Sequence, residues 1–536
     1  MRALVAALLA LDAYRAFAGG GPAQRAAAAR AEGQPETTAE LRAGLLAAGD
    51  RVTRDLPAFR GAQGGGAASR GGRGGKVYEI TNLNDAGTGS LRACVEGSGP
   101  RTCVFRVSGS ITLASSLRVT EPYLTIAGHT APGGGVAVIG KNLGGRADDY
   151  GEDVFVIGTH DVTIRYIRVW IGRSPRHTWS QGFAVWEGSH SVILDHVSIL
   201  WATDKAISLW VGSGGARGET YRDFTIQNSI IGESLAPHST NVLFGGSDTP
   251  GYADGTTDID AHHNYLPTGG WRNPLFKSRS GRFVNNVVYN WNGWAAQIGG
   301  GAYVDFIGNV YSRGPLTEST APARHELGLF GPAPANNRTC STGSPSVYLA
   351  DNRGSWETTG TSNWSLVARA VAKEGFSVET GSATSLERRA ALSSHTSWTS
   401  HGLTQDSSGT PIAVTPLVGD GSNLWRLIRP TVGASRRLDC LGRWVPNRDA
   451  ADARVVSYYD RGGPRSQPSS EDDVGGFPTL APGTPCADSD HDGLPDAYED
   501  ARGLDKNDPR DASAPTPSGF TNLDLYLDGP EDGESP

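Results

Sequence analysis

Short apolar runs, each interrupted by a polar residue, recur along the middle of the chain. They fall at residues 162–170, 192–200, 224–231, 259–266, 283–289 and 304–311. Apolar and polar positions alternate within them, the period of an extended strand. Most have an apolar limb, a polar pivot and a second apolar limb. The pivots are His196, Asn228, Asn264, Asn286 and Asn309. They recur every ~22 to 36 residues, an interval that marks solenoids. No long helical period lies between them, so strand–helix–strand units are not expected. A β-sandwich would instead place turns about every 8–12 residues. The pattern predicts an all-β fold, a parallel β-helix of stacked short strands. An asparagine column at the bends tolerates left-handed geometry and bonds from coil to coil.

Composition agrees. The 536 residues include 72 glycines and one methionine, and 19% are charged, below the usual ~25%. A formal net charge of -8 argues against nucleic acid as partner, since phosphates call for a basic face. Arg2, the apolar run Ala3 to Leu11 and Ala16-Phe17-Ala18 resemble a secretory signal over 1–18, which predicts secretion. Residues 19–55 read as a disordered leader, 56–480 as the β-helix and 481–536 as an acidic tail. No later apolar stretch reaches the ~20 residues of a membrane helix. Cys94 and Cys103 flank a short Gly/Ser/Pro segment, which suits a disulfide. Cys340, Cys440 and Cys486 leave an odd count and an open pairing.

The most specific local signal is at the tail. Residues 488–499 fit D-x-D-x-D-G-x5-E without mismatch. Asp488, Asp490 and Asp492 supply oxygens, Gly493 the turn, Leu494 a carbonyl, Asp496 the water-mediated position and Glu499 a two-toothed closure. One calcium ion is expected there, with a structural role.

Five segments together carry a family resemblance. They are the run from Gly71 to Arg92, Leu124-Thr-Ile-Ala-Gly-His-Thr-Ala-Pro-Gly133, Ile193-Leu-Asp-His196, Arg272-Asn-Pro274 with the following strand at 284–291, and the tail 488–499 with Gly519-Phe-Thr-Asn-Leu523. The chain resembles the pectate lyases, polysaccharide lyases of the bacterial secreted type, over roughly residues 56 to 528. The resemblance implies a right-handed β-helix that cleaves pectate or a related uronan by β-elimination. A base takes the C5 proton, cations neutralise the C6 carboxylate and the C4 oxygen leaves. Arg272 matches the family's base and Lys277 a substrate-binding position. Arg279 and Arg282 add positive charge that would lower the arginine's proton affinity.

Three positions depart from the family. Its first calcium carboxylate falls on Gly182, its Asp-Glu on Asp204-Lys205 and its groove lysine on Thr240. Asp204 remains a possible calcium ligand, but a lone carboxylate makes a weak site. Lys205 is expected to stand where the ion would sit and hold the substrate carboxylate. Asp195 and His196 are read as structural, because neighbours on a strand face opposite ways. Trp186, Trp201 and Trp271 are candidates for stacking on sugars. Two other readings compete: a non-catalytic carbohydrate-binding or adhesin-like β-helix, and a glycoside hydrolase, for which no convincing carboxylate pair is found. The protein is expected to act as a monomer.

Overall fold

The computed structural model describes residues 56–530, apart from 145–151, 177, 187, 212–220, 247–255, 300–301, 321–324, 331–344, 356–357, 361–362, 374–375, 383–396, 399–402 and 406–410. The proposed signal, the leader and Cys340 lie outside the described residues. From Leu56 on, the chain forms one compact unit.

Three sheets of ten, eight and ten strands run along the molecule. Successive coils lend one strand to each, and neighbouring coils pair in parallel. In the first sheet Val192 sits beside Val162 and Phe224; in the third, Phe183 sits between Phe155 and Ile207. Like therefore stacks on like, as with the near-parallel rings of Phe155 and Phe183, 4.9 Å apart. The inward side chains form one long buried cluster. The alternation of the sequence runs is this inside–outside phase, and the parallel β-helix is the fold. Within these three sheets, among the described residues, pairing turns antiparallel only at the end of the third, between Val367–Lys373 and Phe376–Ser382; two small antiparallel sheets follow.

The asparagine column forms, shifted by one residue from part of the expectation. The left-handed residues are His196, Asn228, His263, Asn285, Gly308 and Asp351, with φ between 50° and 62°. The residue after each left-handed one carries the ladder. Asn264 donates through its backbone and side chain to Oδ1 of Asn286 (3.1 and 3.0 Å). Asn286 does the same to Asn309, Asn309 to Asn352 and Asn352 to Asn363. Ser229, not Asn228, continues the column, donating its N–H to Asn264 Oδ1 (2.9 Å) and accepting from Val197 N–H (3.0 Å). The bend and the bond are thus the work of two adjacent residues.

Chain is laid over two of the sheets. The turn Gly65–Ala68 lies on the first, its N–H groups donating to Asp260 and Thr225. A side chain at Gly66 would come within 2.2 Å of the Val192 carbonyl, so only glycine permits this approach. After the last coils, helices Ser422–Ile428 and Ala450–Arg461 cover the second sheet. Trp425 and Val455 pack there with Trp170, Trp201 and Tyr265. Buried polar contacts lock the return: Arg168 on Asp449 (2.5 Å), Ser198 on Asp452 (2.5 Å), and Glu233 accepting from Tyr458 (2.6 Å). Cys94 bonds Cys103 and Cys440 bonds Cys486. Among the described residues no helix is long and apolar enough to cross a membrane.

Candidate active site and cation loop

The turns leading from the second sheet into the third stack on successive coils. In the first of them Trp201 adopts φ 64° and is fully buried, its indole N–H donating to Glu233 (2.9 Å). This tryptophan anchors the turn and does not face a groove. Asp204 and Lys205 follow at the start of strand Lys205–Val211. On the next coil His238 precedes strand Thr240–Gly246. On the next, Arg272 and Asn273-Pro274 precede strand Leu275–Phe276. The Thr240 backbone N–H and hydroxyl both donate to the Asp204 carbonyl, and the Val242 N–H to the Arg272 carbonyl (2.9 Å). Coil stacking therefore gathers residues far apart in sequence.

Asp204 is the hub. Lys205 Nζ lies 2.5 Å from one of its oxygens and His238 Nδ1 2.9 Å from the other. The His238 ring is held between Trp179 and Trp271, each edge-on at 5.2 Å. Burial opposes charge on Asp204, but Lys205 and His238 outweigh it and hold the carboxyl down at about 2. Burial also pulls Lys205 below the usual lysine range; Asp204 opposes that shift and Arg272 adds to it. Lys205 and Arg272 thus feel each other's charge. Arg272 itself holds φ 74°, a left-handed conformation that costs a non-glycine residue ~1–3 kcal/mol and that recurs at bends of this solenoid such as Trp201 and Thr268.

Other predicted residues are spread more widely. Lys277 lies five positions past Arg272, mostly buried, its Cβ packed across Gly245 on the next strand. Arg279 is exposed at the turn into the first sheet, its guanidinium over the Tyr303 ring at 4.7 Å. Arg282 is buried in the first sheet and forks onto Asp260 (2.8 and 2.6 Å), so it does not crowd Arg272. Asp195 and His196 pair with each other in the first sheet (2.9 Å), and Asp195 also binds Arg165. Trp186 is 41% exposed, just past strand Phe183–Val185 of the third sheet, and Trp271 touches His238.

Two groups were missed by sequence reasoning. Asp153, buried, acts electrostatically on Lys205. It stands two residues before Phe155, which is in register with Ile207 two coils on; aligning the apolar triplets would have put it in the Lys205 column. His238 was visible in His238-Ser239-Thr240, where only the third position was weighed.

The groove does not fit a calcium ion. The Asp204 oxygens are taken by an ammonium and an imidazole. At Gly182 a Cβ would lie 2.6 Å from the Ala206 carbonyl and 2.8 Å from Ile199, leaving no room for an acid. Among the described residues the only groups of three or more potential metal ligands are at the tail.

There Asp488, Asp490 and Asp492 place oxygens within 4.8 Å of one another, and so do Asp492, Glu499 and Asp511. Burial, then Asp492 and Asp490, push Glu499 up to about 8. Asp496 is not brought in: both its oxygens accept from Ser489 (2.7 and 2.8 Å). Leu494 is buried among Tyr498, Leu523 and Leu527.

A probable pectate lyase C of Aspergillus fumigatus is 30% identical over 486 residues, covering 90% of this chain and 95% of that protein. The chain belongs to the pectate lyase family. It is a polysaccharide lyase. A probable pectate lyase C of Emericella nidulans is 31% identical over 480 residues, covering 89% of this chain and 93% of its own. These relatives are fungal, so the bacterial type suggested by the Gly71 to Arg92 run is not supported. A scan against protein-family models finds no match. Among solved structures, a pectate lyase bound to a hexasaccharide aligns with 72% of this chain and 99% of its own, at 14% identity and TM-score 0.43. Pectate lyase II of Xanthomonas campestris aligns with 70% and 98%, at 13% and 0.41.

Proposed function

We propose that this lyase cleaves pectate or a related uronan by β-elimination, with Arg272 as base and Lys205 as a fixed cation in place of groove calcium. The observation that carries the reading is the Lys205 ammonium on Asp204, within the electrostatic reach of Arg272. A neutral Arg272 takes the C5 proton of a uronate. The C5–H electrons form the C4–C5 double bond, the C4–O4 bond breaks and water protonates the leaving oxygen. Lys205 faces the C6 carboxylate and neutralises charge as it builds there. Lys277 and Arg279 lie farther along the third sheet and its edge, where they serve neighbouring sugar carboxylates. Secretion suits both disulfides, and the enzyme acts as a monomer.

A second reading of the base is favoured by one contact, His238 Nδ1 against Asp204. The contact is at ion-pair distance without hydrogen-bond geometry; a proton drawn to Nδ1 by the carboxylate would leave Nε2 as acceptor. A guanidinium ordinarily stays charged above pH 12, an imidazole only to ~6.5. On this reading His238 takes the proton while Arg272 and Lys205 both stay cationic.

The test is turnover of polygalacturonate, followed by the near-ultraviolet absorbance of the unsaturated product. Arg272→Lys is expected to abolish it while oligogalacturonide binding survives, because lysine keeps the charge but loses the planar fork and reach. Turnover retained in Arg272→Lys and lost in His238→Asn moves the base to His238. Reducing ends without absorbance mean hydrolysis, and no product from any uronan means a binding protein. Strict, saturable calcium dependence on a substrate free of bound cation sinks the fixed-cation role of Lys205.

A further inference from the structure

We infer that Asp511, not Asp496, completes a calcium site with Asp488, Asp490, Asp492 and Glu499, and that the ion clamps the tail onto the first two strands of the solenoid. This inference is independent of the elimination reading and concerns a different part of the molecule.

The linear motif ends at Glu499, so a site built from it alone would use Asp496. That side chain instead binds Ser489 through both oxygens. Asp511 arrives from beyond the loop. One of its oxygens accepts from the Asp505 N–H (2.8 Å), which orients the carboxylate; the other has no hydrogen bond. The following N–H, of Ala512, donates to Asp492 (3.3 Å) and ties the two segments together.

Glu499 supplies the decisive observation. It is fully buried, and neither carboxylate oxygen has a hydrogen-bond partner. A buried, unsatisfied carboxylate is costly unless something of opposite charge meets it. Among the described residues no lysine or arginine forms an ion pair with Glu499 or Asp511; Lys506, whose charge Glu499 also feels, is paired with Asp500 (2.9 Å), and what surrounds Glu499 is Asp492 and Asp490. Two groups of three carboxylates that share Asp492 suit a hard divalent cation that takes six to eight oxygens. The absence of cysteine and histidine from both groups speaks against zinc, since the one histidine in the loop, His491, is turned to Glu79 (2.8 Å).

The location gives the ion its task. Asp488 lies 3.7 Å from Arg106, next to strand Arg101–Phe105. Glu79, the partner of His491, is on strand Lys76–Ile80. Gly493 adopts φ 94°, and a Cβ there would stand 3.2 Å from Val77 and 3.4 Å from Val104. The loop is thus pressed onto both strands at the start of the first sheet. Drawing five acids together fixes that contact.

The test is calorimetric calcium titration of the full-length, chelator-stripped protein. Glu499→Gln is expected to weaken binding at least ~100-fold, Asp511→Asn at least ~10-fold and Asp496→Asn less than ~3-fold. Calcium is also expected to slow amide hydrogen exchange at residues 488–512 and at 76–80 together in the unaltered protein, a readout that needs no variant to fold. Asp511→Asn binding as the unaltered protein does, with Asp496→Asn losing the ion, overturns the ligand assignment. Protection confined to 488–512 overturns the clamp. Turnover enters neither measurement, so a failed lyase assignment leaves this one standing.

Discussion

Asp204→Asn and Lys205→Met, singly and together, test whether the groove holds a true buried ion pair. Asp204 is 2% and Lys205 13% exposed at the side chain. Removing Asp204 strands the Lys205 ammonium, which costs ~3–5 kcal/mol, whereas removing Lys205 leaves Asp204 facing His238 and costs less. The double variant removes both charges of the pair, so it is expected to recover most of that loss and sit within ~1–2 kcal/mol of the parent. The coupling energy is then on the order of 3 kcal/mol, large for neighbours. The pH dependence carries a sign. The Asp204 carboxyl is held down at about 2 in the fold against ~3.9 unfolded, so its ~2–3 kcal/mol contribution is complete above pH ~4 and is lost as pH falls towards 2. Lys205, shifted down by burial, offsets part of this at neutral pH. Urea midpoints of the four proteins at pH 7 and pH 3 give the cycle. Additive losses, or a coupling unchanged between the two pH values, would refute the reasoning. Product absorbance on polygalacturonate should vanish in all three variants, even where stability returns.

Three further outcomes follow from buried polar groups and a blocked position. Asn286→Ala removes four ladder bonds, to and from Asn264, Asn309 and Ala261, and should cost ~2–4 kcal/mol in urea unfolding. Burial, then Asp449, pushes the Asp452 carboxyl up to about 7. The folded state therefore binds the extra proton, stability falls as pH rises from ~4 to ~7, and Asp452→Asn should gain on the parent by on the order of 2 kcal/mol between pH 5 and 8. Gly182→Asp, which restores the family's acid, should lower the urea midpoint without creating calcium-dependent turnover, because its Cβ meets the Ala206 carbonyl.

The coils were legible because a solenoid interior repeats: a residue stacks on its like, so the apolar phase of 192–200 returns at 224–231 and 259–266. The bond column was legible wherever the bonding residue is asparagine. It slipped at Asn228 because Ser229 supplies an equivalent acceptor and because the left-handed residue, itself polar, precedes the bonding one. Linear proximity misled at Arg282, which the turn after Lys277 carries into another sheet and onto Asp260. Asp153, His238 and Asp511 escaped notice for the converse reason. Each joins its partners across a coil or a loop, and no local pattern announces it. The return over the second sheet rests on contacts such as Ser198 with Asp452, between segments with no periodic relation.

The groove and the tail solve one electrostatic problem in two ways. Both must place positive charge where carboxylates meet. At the tail every carboxylate belongs to the protein, so a mobile ion with many oxygen ligands would be the efficient partner, as inferred above, and its removal would leave those acids repelling one another. In the groove one carboxylate arrives with the substrate. A calcium site there would need protein acids to hold the ion before the substrate comes; Gly182 cannot carry one, Asp204 is already engaged by Lys205 and His238, and Asp153 already faces the Lys205 charge. An ammonium tethered to Asp204 needs no recruitment. On the proposed reading it stays fixed on its coil as sugars enter and leave, and its charge is set by burial, Asp204 and Arg272 rather than by the calcium around the enzyme. Chelation should therefore loosen the tail while leaving the groove's cation in place.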